Sequence, residues 1–157
     1  MKSLGADAVI NYKTESLKDK LREYCPKGVN VYFDNVGGEM LDELLMHIRD
    51  FSRIIACGAI SSYNQDISKR YKIKNYSRII IKRAIIQGFI YFDYVKEFPA
   101  AMAELSKLVS AGKLKFRVDM LNGLEEAPRG LKQLLEGKNK GKVIIRVDRE
   151  ANLNPSL

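Results

Sequence analysis

Apolar residues recur along the chain with two periods that take turns. Leu4-Gly5-Ala6-Asp7 reads as a helix end with Gly5 as its stop, and Ala8-Val9-Ile10-Asn11-Tyr12 follows as a short β-like run. Thr14 or Ser16 caps the next helix. There Leu17, Leu21 and Tyr24 share a face, while Lys18, Asp19, Lys20, Arg22 and Glu23 stay in water. Pro26-Lys27-Gly28 closes it. Residues 29–36 read as a second strand, ended by Gly37-Gly38, and Met40, Leu41, Leu44, Leu45 and Ile48 mark an amphipathic helix. Residues 53–57 make a third strand stopped by Gly58. Residues 61–75 are polar and aperiodic, a long loop of the kind that serves as a functional lid.

Residues 79–83 are too short to assign, and residues 84–91 read as a fourth strand in which Gly88 marks a close approach to the backbone. A long helix places Phe98, Ala101, Met102, Leu105, Leu108 and Val109 on one face and is capped by Gly112. A strand over 116–121, a helix over 127–136, a last strand over 142–147 and a frayed polar tail complete the pattern. Strands and helices alternating at this spacing imply an α/β fold built on a parallel sheet.

Composition narrows the class. With 157 residues, 46% apolar and 29% charged, the chain suits one ordinary globular domain, long enough to bury a sizeable core without disulfides or metals. No apolar run approaches the roughly 18 residues of a membrane-spanning helix. Two cysteines, Cys25 and Cys57, are too few for a disulfide scaffold, which makes the cytoplasm the default compartment. The net charge of +8 raises the question of nucleic acid, because Lys69, Arg70, Lys72, Lys74, Arg78, Lys82 and Arg83 cluster with Tyr71 and Tyr76. Ile79-Ile80-Ile81 interrupts that cluster, and no nucleic-acid-binding motif accompanies it. Attraction of a small anionic ligand is the preferred reading, with no nucleic acid and no membrane as partner.

Hydrolytic and metal chemistry find little support. The single histidine, His47, falls on a predicted helix and reads as a surface or core residue. Neither cysteine has metal-ligand spacing, so no metal site is expected. The carboxylate pairs Asp42-Glu43 and Glu125-Glu126 read as solvated faces. Two other segments stand out, Val31-Tyr32-Phe33-Asp34-Asn35-Val36-Gly37-Gly38 and Ile54-Ile55-Ala56-Cys57-Gly58-Ala59-Ile60-Ser61. Each is a buried-type strand ending in small or polar residues. Ligands of open α/β sheets bind beyond the carboxyl ends of the strands, where glycine lets backbone approach a phosphate or a ring. A mononucleotide or dinucleotide is the ligand this pattern points to.

Taken in order, Leu4-Gly5-Ala6-Asp7, Asn11-Tyr12-Lys13, Tyr32-Phe33-Asp34-Asn35-Val36-Gly37-Gly38, Cys57-Gly58-Ala59-Ile60-Ser61 with Tyr63-Asn64, Ala111-Gly112-Lys113-Leu114 and Gly137-Lys138-Asn139-Lys140-Gly141-Lys142 cover nearly the whole chain. This series resembles the prostaglandin reductase family, the zinc-independent leukotriene B4 12-hydroxydehydrogenase branch of the medium-chain dehydrogenase/reductases. The resemblance implies NADP as cofactor and an enone, enal or quinone as small-molecule substrate, with hydride delivered to the β-carbon of an α,β-unsaturated carbonyl. It also implies a Rossmann-type parallel sheet and a homodimer. The alternatives are a quinone oxidoreductase of the same superfamily and a non-enzymatic nucleotide- or nucleic-acid-binding fragment.

Carried over by position, Tyr12 resembles the tyrosine near the adenosine 2′-phosphate, and Asn35 the asparagine of the cofactor crevice. Cys57, Gly58, Ala59, Ile60, Ser61, Ser62 and Tyr63 resemble the segment along the nicotinamide half. Phe89, Ile90 and Tyr91 resemble the stretch that supports the nicotinamide through backbone, and Asn139 the asparagine of the late glycine-lysine loop. The proton donor stays open between Tyr63, Tyr76, a ribose hydroxyl and water. The resemblance divides the chain into a partial NADP-binding domain over 1–111, a C-terminal part of the catalytic domain over 112–147, and a tail over 148–157.

Family members are about twice as long and carry a glycine-rich dinucleotide turn that this sequence lacks. The sheet is therefore expected to be truncated at its N-terminal side, with the 8–12 run left without its native neighbour. That open edge invites swapping or aggregation. The chain alone is expected not to be a competent reductase.

Overall fold

The computed structural model of the chain describes residues 1–147, so the tail expected over 148–157 lies outside the described residues. Two compact units are present, Met1–Phe98 and a second beginning at Pro99. The first opens with a single 3-10 turn, Lys2–Leu4, ended by Gly5 in the left-handed region at φ 96°. Helix α1 (Leu17–Tyr24) starts where Ser16 accepts a hydrogen bond from the Asp19 N–H at 3.3 Å. Strand β1 (Val29–Asp34), helix α2 (Gly38–Leu45) and strand β2 (Ile48–Ala56) follow. Short helices α3 (Ile60–Tyr63) and α4 (Ser77–Ile81) precede strand β3 (Ile85–Gly88).

The three strands form a parallel sheet in the order β1-β2-β3. Residues paired across a parallel ladder lie on one face, because side chains alternate along each strand. Tyr32 pairs with Ile54 and Ile54 with Ile86, so these three share the face on which α1 and α2 pack. Leu21, Leu44, Leu45, Ile48 and Ile54 are its buried apolar residues. The opposite face carries Val31, Phe33 and Ile85, all exposed.

The second unit holds α5 (Phe98–Ser110) from Pro99 onward, β4 (Val118–Asn122), α6 (Ala127–Leu135) and β5 (Lys142–Arg146), with β4 and β5 paired in parallel. Helix α6 lies close to that sheet at Gly130, where an added Cβ would stand 3.0 Å from the side chains of Ile145 and Leu121. No helix among the described residues is long and apolar enough to cross a membrane.

Several elements differ from the sequence pattern. Residues 8–12 are not a strand: their backbone pairs with no other strand among the described residues, and Ile10 instead packs against the core. Ile48 begins β2 rather than continuing α2, since the helix closes at Met46 and His47 through N–H bonds to Glu43 and Leu44 carbonyls. The fourth strand stops at Gly88, and Tyr91 begins a 3-10 segment. Residues 79–81 belong to α4, and the 61–75 loop contains α3 and a turn at Ile67–Lys69. Helix α5 leaves Met102 and Leu105 of its apolar face exposed.

Candidate functional site at the carboxyl ends of the strands

Strand β1 ends in a carboxylate that organises everything after it. Asp34, 1% exposed, accepts hydrogen bonds at one oxygen from the N–H groups of Val36 and Gly37, both at 2.9 Å, and from the Tyr32 hydroxyl at 3.0 Å. An aspartate bonded to N–H groups just downstream is a side-chain mimic of a backbone turn. Burial, followed by the Asp34 charge and the hydrogen bond to it, pushes the Tyr32 phenol well above the ordinary tyrosine range.

The backbone of this turn receives the segment that leaves β2. The Asp34 carbonyl accepts from Cys57 and Gly58 N–H at 2.9 and 3.0 Å, and that of Asn35 from Ile60 N–H at 3.1 Å. The Val36 carbonyl takes both the Ser61 N–H at 3.2 Å and the Ser61 hydroxyl at 2.6 Å. Gly58 suits this close approach: a Cβ there would stand 3.1 Å from the Asn35 carbonyl oxygen and 3.2 Å from the Tyr63 hydroxyl, tighter than ordinary contact. The donors of residues 57–61 are thus spent on shaping the loop. The Asn35 carboxamide, on an exposed residue, makes no hydrogen bond among the described residues.

Of the cavities that flank the turn, two take in tyrosines expected at the site. One of about 470 Å³ is lined by Cys57, Gly58, Ala59, Tyr63, Phe89 and Ile90 among others. The Tyr63 hydroxyl oxygen accepts the Ala59 N–H at 2.9 Å, which leaves its own proton free to be donated. The other cavity, about 420 Å³, brings Tyr12 together with Val36, Gly37 and Ser61. Ser62 bonds the Ala59 carbonyl through its hydroxyl at 2.9 Å, and the Ile60 side chain is exposed. Tyr91 lines neither cavity; its ring stacks on Phe98 with centroids 5.7 Å apart. Tyr76 is exposed and lines neither of them. Asn139 belongs to the second unit, where its amide donates to the Gly141 carbonyl at 2.9 Å.

The sequence reading gave two carboxylates the wrong weight or none. Asp42 is no solvated helix residue: it is 3% exposed and accepts from the N–H groups of Lys74 and Asn75 at 3.0 and 2.8 Å and from the Tyr71 hydroxyl at 2.9 Å. Burial pushes its carboxyl up, but the Asn75 N–H, the Tyr71 phenol and the Lys74 N–H outweigh this and hold it below the usual carboxylate range. The loop beyond α3 is thereby tied to α2. Asp119 does the same in the second unit, accepting the Lys140 and Gly141 N–H groups, which with Arg117 hold its carboxyl low despite some burial. Asp34 had a legible signal, an aspartate between a strand and Asn-Val-Gly-Gly; Asp42 and Asp119 find their partners far along the chain.

A family model described as a zinc-binding dehydrogenase matches residues 4–145. The chain belongs to this family. It is 42% identical over 144 residues to a zinc-type alcohol dehydrogenase-like protein of Schizosaccharomyces pombe, covering 91% of this chain and 41% of that protein. It is 39% identical over 147 residues to the NADP(+)-dependent 2-alkenal reductase of Nicotiana tabacum, covering 93% and 42%. A crystal structure of CurA from Vibrio vulnificus in complex with NADPH matches with a TM-score of 0.81 at 32% identity, covering 92% of this chain and 44% of that one. The chain therefore spans about two fifths of the length of the curated relatives it matches. These relatives are oxidoreductases of the medium-chain dehydrogenase/reductase superfamily, and the α/β fold with parallel sheets is common to them.

The family description carries the word zinc, and the described residues do not fit that metal. Among the described residues no group of three or more His, Cys, Asp or Glu side chains could hold a metal ion.

Proposed function

We propose that this chain is the nicotinamide-side part of an NADP-dependent reductase of the prostaglandin reductase and alkenal reductase type. The observation that carries the reading is the arrangement of Gly58, Tyr63, Phe89 and Ile90 around one cavity at the carboxyl ends of β2 and β3. The tobacco relative, a reductase of 2-alkenals, supports the substrate class. When bound, the reduced nicotinamide supplies a hydride to the β-carbon of a conjugated enone or enal.

The protein's own contributions are positional. Phe89 and Ile90 offer an apolar wall, and the backbone at Gly58 lies bare of any Cβ. Asn35 presents its carboxamide at the same edge, with Tyr12 at the adenosine 2′-phosphate end. Tyr63, anchored through the Ala59 N–H, donates its proton towards the developing enolate oxygen. In this reading residues 1–111 are the nucleotide-binding part and residues 112–147 rejoin the catalytic domain. The longer protein is a homodimer, and the 157-residue chain does not turn over by itself.

Saturation-transfer NMR of the chain with NADPH tests this. Transfer is expected to the nicotinamide ring protons and to fall in Asn35→Ala, without oxidation of NADPH when a 2-alkenal is added. No transfer to the nicotinamide would overturn the site, and turnover of the alkenal would overturn the inactivity of the isolated chain.

A further inference from the structure

At the opposite, amino ends of β1 and β2 lies a cavity of about 360 Å³ with an unusual wall. Arg22, Lys27, His47, Arg78 and Lys82 line it, and no carboxylate does. Lys82 is taken by Asp50, with Nζ to Oδ1 at 2.9 Å, and the His47 Nε2 is within 2.9 Å of Glu43. Arg22, Lys27 and Arg78 have no acidic partner among the described residues. The Arg78 Nε is buried and makes no hydrogen bond.

Cations at helix ends are commonly explained by the negative pole of the helix. That explanation covers only part of the cluster here, because several carbonyls at these ends already have donors. Leu21 O receives Cys25 N–H, Cys25 O receives Gly28 N–H, Leu44 O receives His47 N–H, and His47 O receives Val29 N–H. Leaving a buried guanidinium N–H unbonded is unfavourable, so the position of Arg78 is not explained by its contacts within the fold. Two guanidinium groups and an ammonium around a small cavity suit closely spaced, multiply charged oxygens more than a single carboxylate.

We propose that this cavity binds a polyphosphate group, of the kind carried by inorganic pyrophosphate or a nucleoside diphosphate. It is a second anion site, separated from the cofactor crevice by the length of the strands. Its ligand bears on the same sheet from the other end, through the first residues of β1 and β2. The site also gives a use to the Arg78 and Lys82 end of the basic stretch, which the cofactor crevice does not employ.

His47 is the chain's only histidine, so its imidazole protons give one unambiguous NMR reporter. Adding inorganic pyrophosphate at constant ionic strength is expected to move these resonances saturably, while sodium chloride leaves them in place. Arg22→Gln and Lys27→Gln, both at exposed positions, are each expected to weaken the apparent affinity, and the double variant by at least about tenfold. Asn35→Ala is expected to leave the titration unchanged, since Asn35 lies at the other end of the sheet. ADP acting like pyrophosphate would assign the source to nucleotides, and ADP without effect to the inorganic ion; either supports the site. No movement of His47, or equal movement in the double variant, would overturn it. So would a response to single-stranded RNA with none to pyrophosphate.

Discussion

The two faces of the three-stranded sheet share one backbone and differ in almost everything else. On one, α1 and α2 cover Tyr32 and Ile54, and Leu45 is wholly out of water. On the other, Val31 is 62% and Phe33 52% exposed, although the sequence pattern reads as a buried-type strand. Adjacent residues of a strand are equally apolar here, so composition cannot set which face is covered. What decides is whether an amphipathic helix arrives, and α1 and α2 both arrive on the same side. The covered face is thus where the stability of this unit lies, and the site at the carboxyl ends is anchored from that face through Asp34 and Asp42.

The largest expected contrast follows directly. Leu45→Ala should destabilise by about 2–5 kcal/mol, because it opens a void in the only closely packed cluster of the first unit. Val31→Thr, nearly isosteric and on the open face, should stay within about 0.5 kcal/mol. Urea unfolding of both variants measures the difference. A Val31→Thr loss comparable to that of Leu45→Ala would mean the open face is covered in solution, and the contrast between the faces would fail.

What was legible in the sequence was local. The Gly5 stop, the Ser16 cap and the glycine pair after β1 are set by residues within a turn of each other, and the structure has them. The 8–12 run has the right residues for a strand, but a strand exists only through a ladder, and none forms at that position. Asp42 was misread for a related reason. Its neighbours in sequence make a solvated helix plausible, while its three donors come from residues 71–75, some thirty positions on. In the site, the family resemblance groups Cys57, Gly58, Tyr63, Phe89 and Ile90, and the fold brings them around one cavity. Tyr91 turns away because the chain enters a 3-10 turn there, a change of direction that apolar periodicity does not encode.

Asp42 sharpens the comparison at intermediate size. Asp42→Ala leaves two backbone N–H groups without an acceptor and should lower stability by about 1–3 kcal/mol. Limited proteolysis should then cut first within residues 64–76, the loop that this carboxylate ties to α2. The pH dependence has a definite sign. Because the folded-state carboxyl titrates below its ordinary value, its contribution is complete above about pH 4 and is lost as the pH falls through the folded-state value. Asp42→Asn removes that titration, so the stability difference between the two proteins should shrink on acidification. A difference that stays constant from neutral pH down to pH 3 would show that the charge of Asp42 contributes nothing.

The smallest expected effect concerns how α1 is held on the covered face. Thr14 and Ser16 were equivalent cap candidates in the sequence, and the structure separates them. The Ser16 hydroxyl meets the Asp19 N–H, whereas the Thr14 hydroxyl reaches only the Asn11 carbonyl, at 3.4 Å. Ser16→Ala should therefore lower stability by about 1 kcal/mol, and Thr14→Ala by less than about 0.5 kcal/mol. The effect of Ser16 should also depend on the face that α1 covers. Leu17 and Leu21 pack on the sheet only while the first turn is formed, so amide exchange of the α1 backbone should quicken with that of β1 in Ser16→Ala. Faster exchange confined to α1 would mean that the helix frays without uncovering the sheet. The protection of β1 would then come from α2 alone, and the division between the two faces would rest on a single helix.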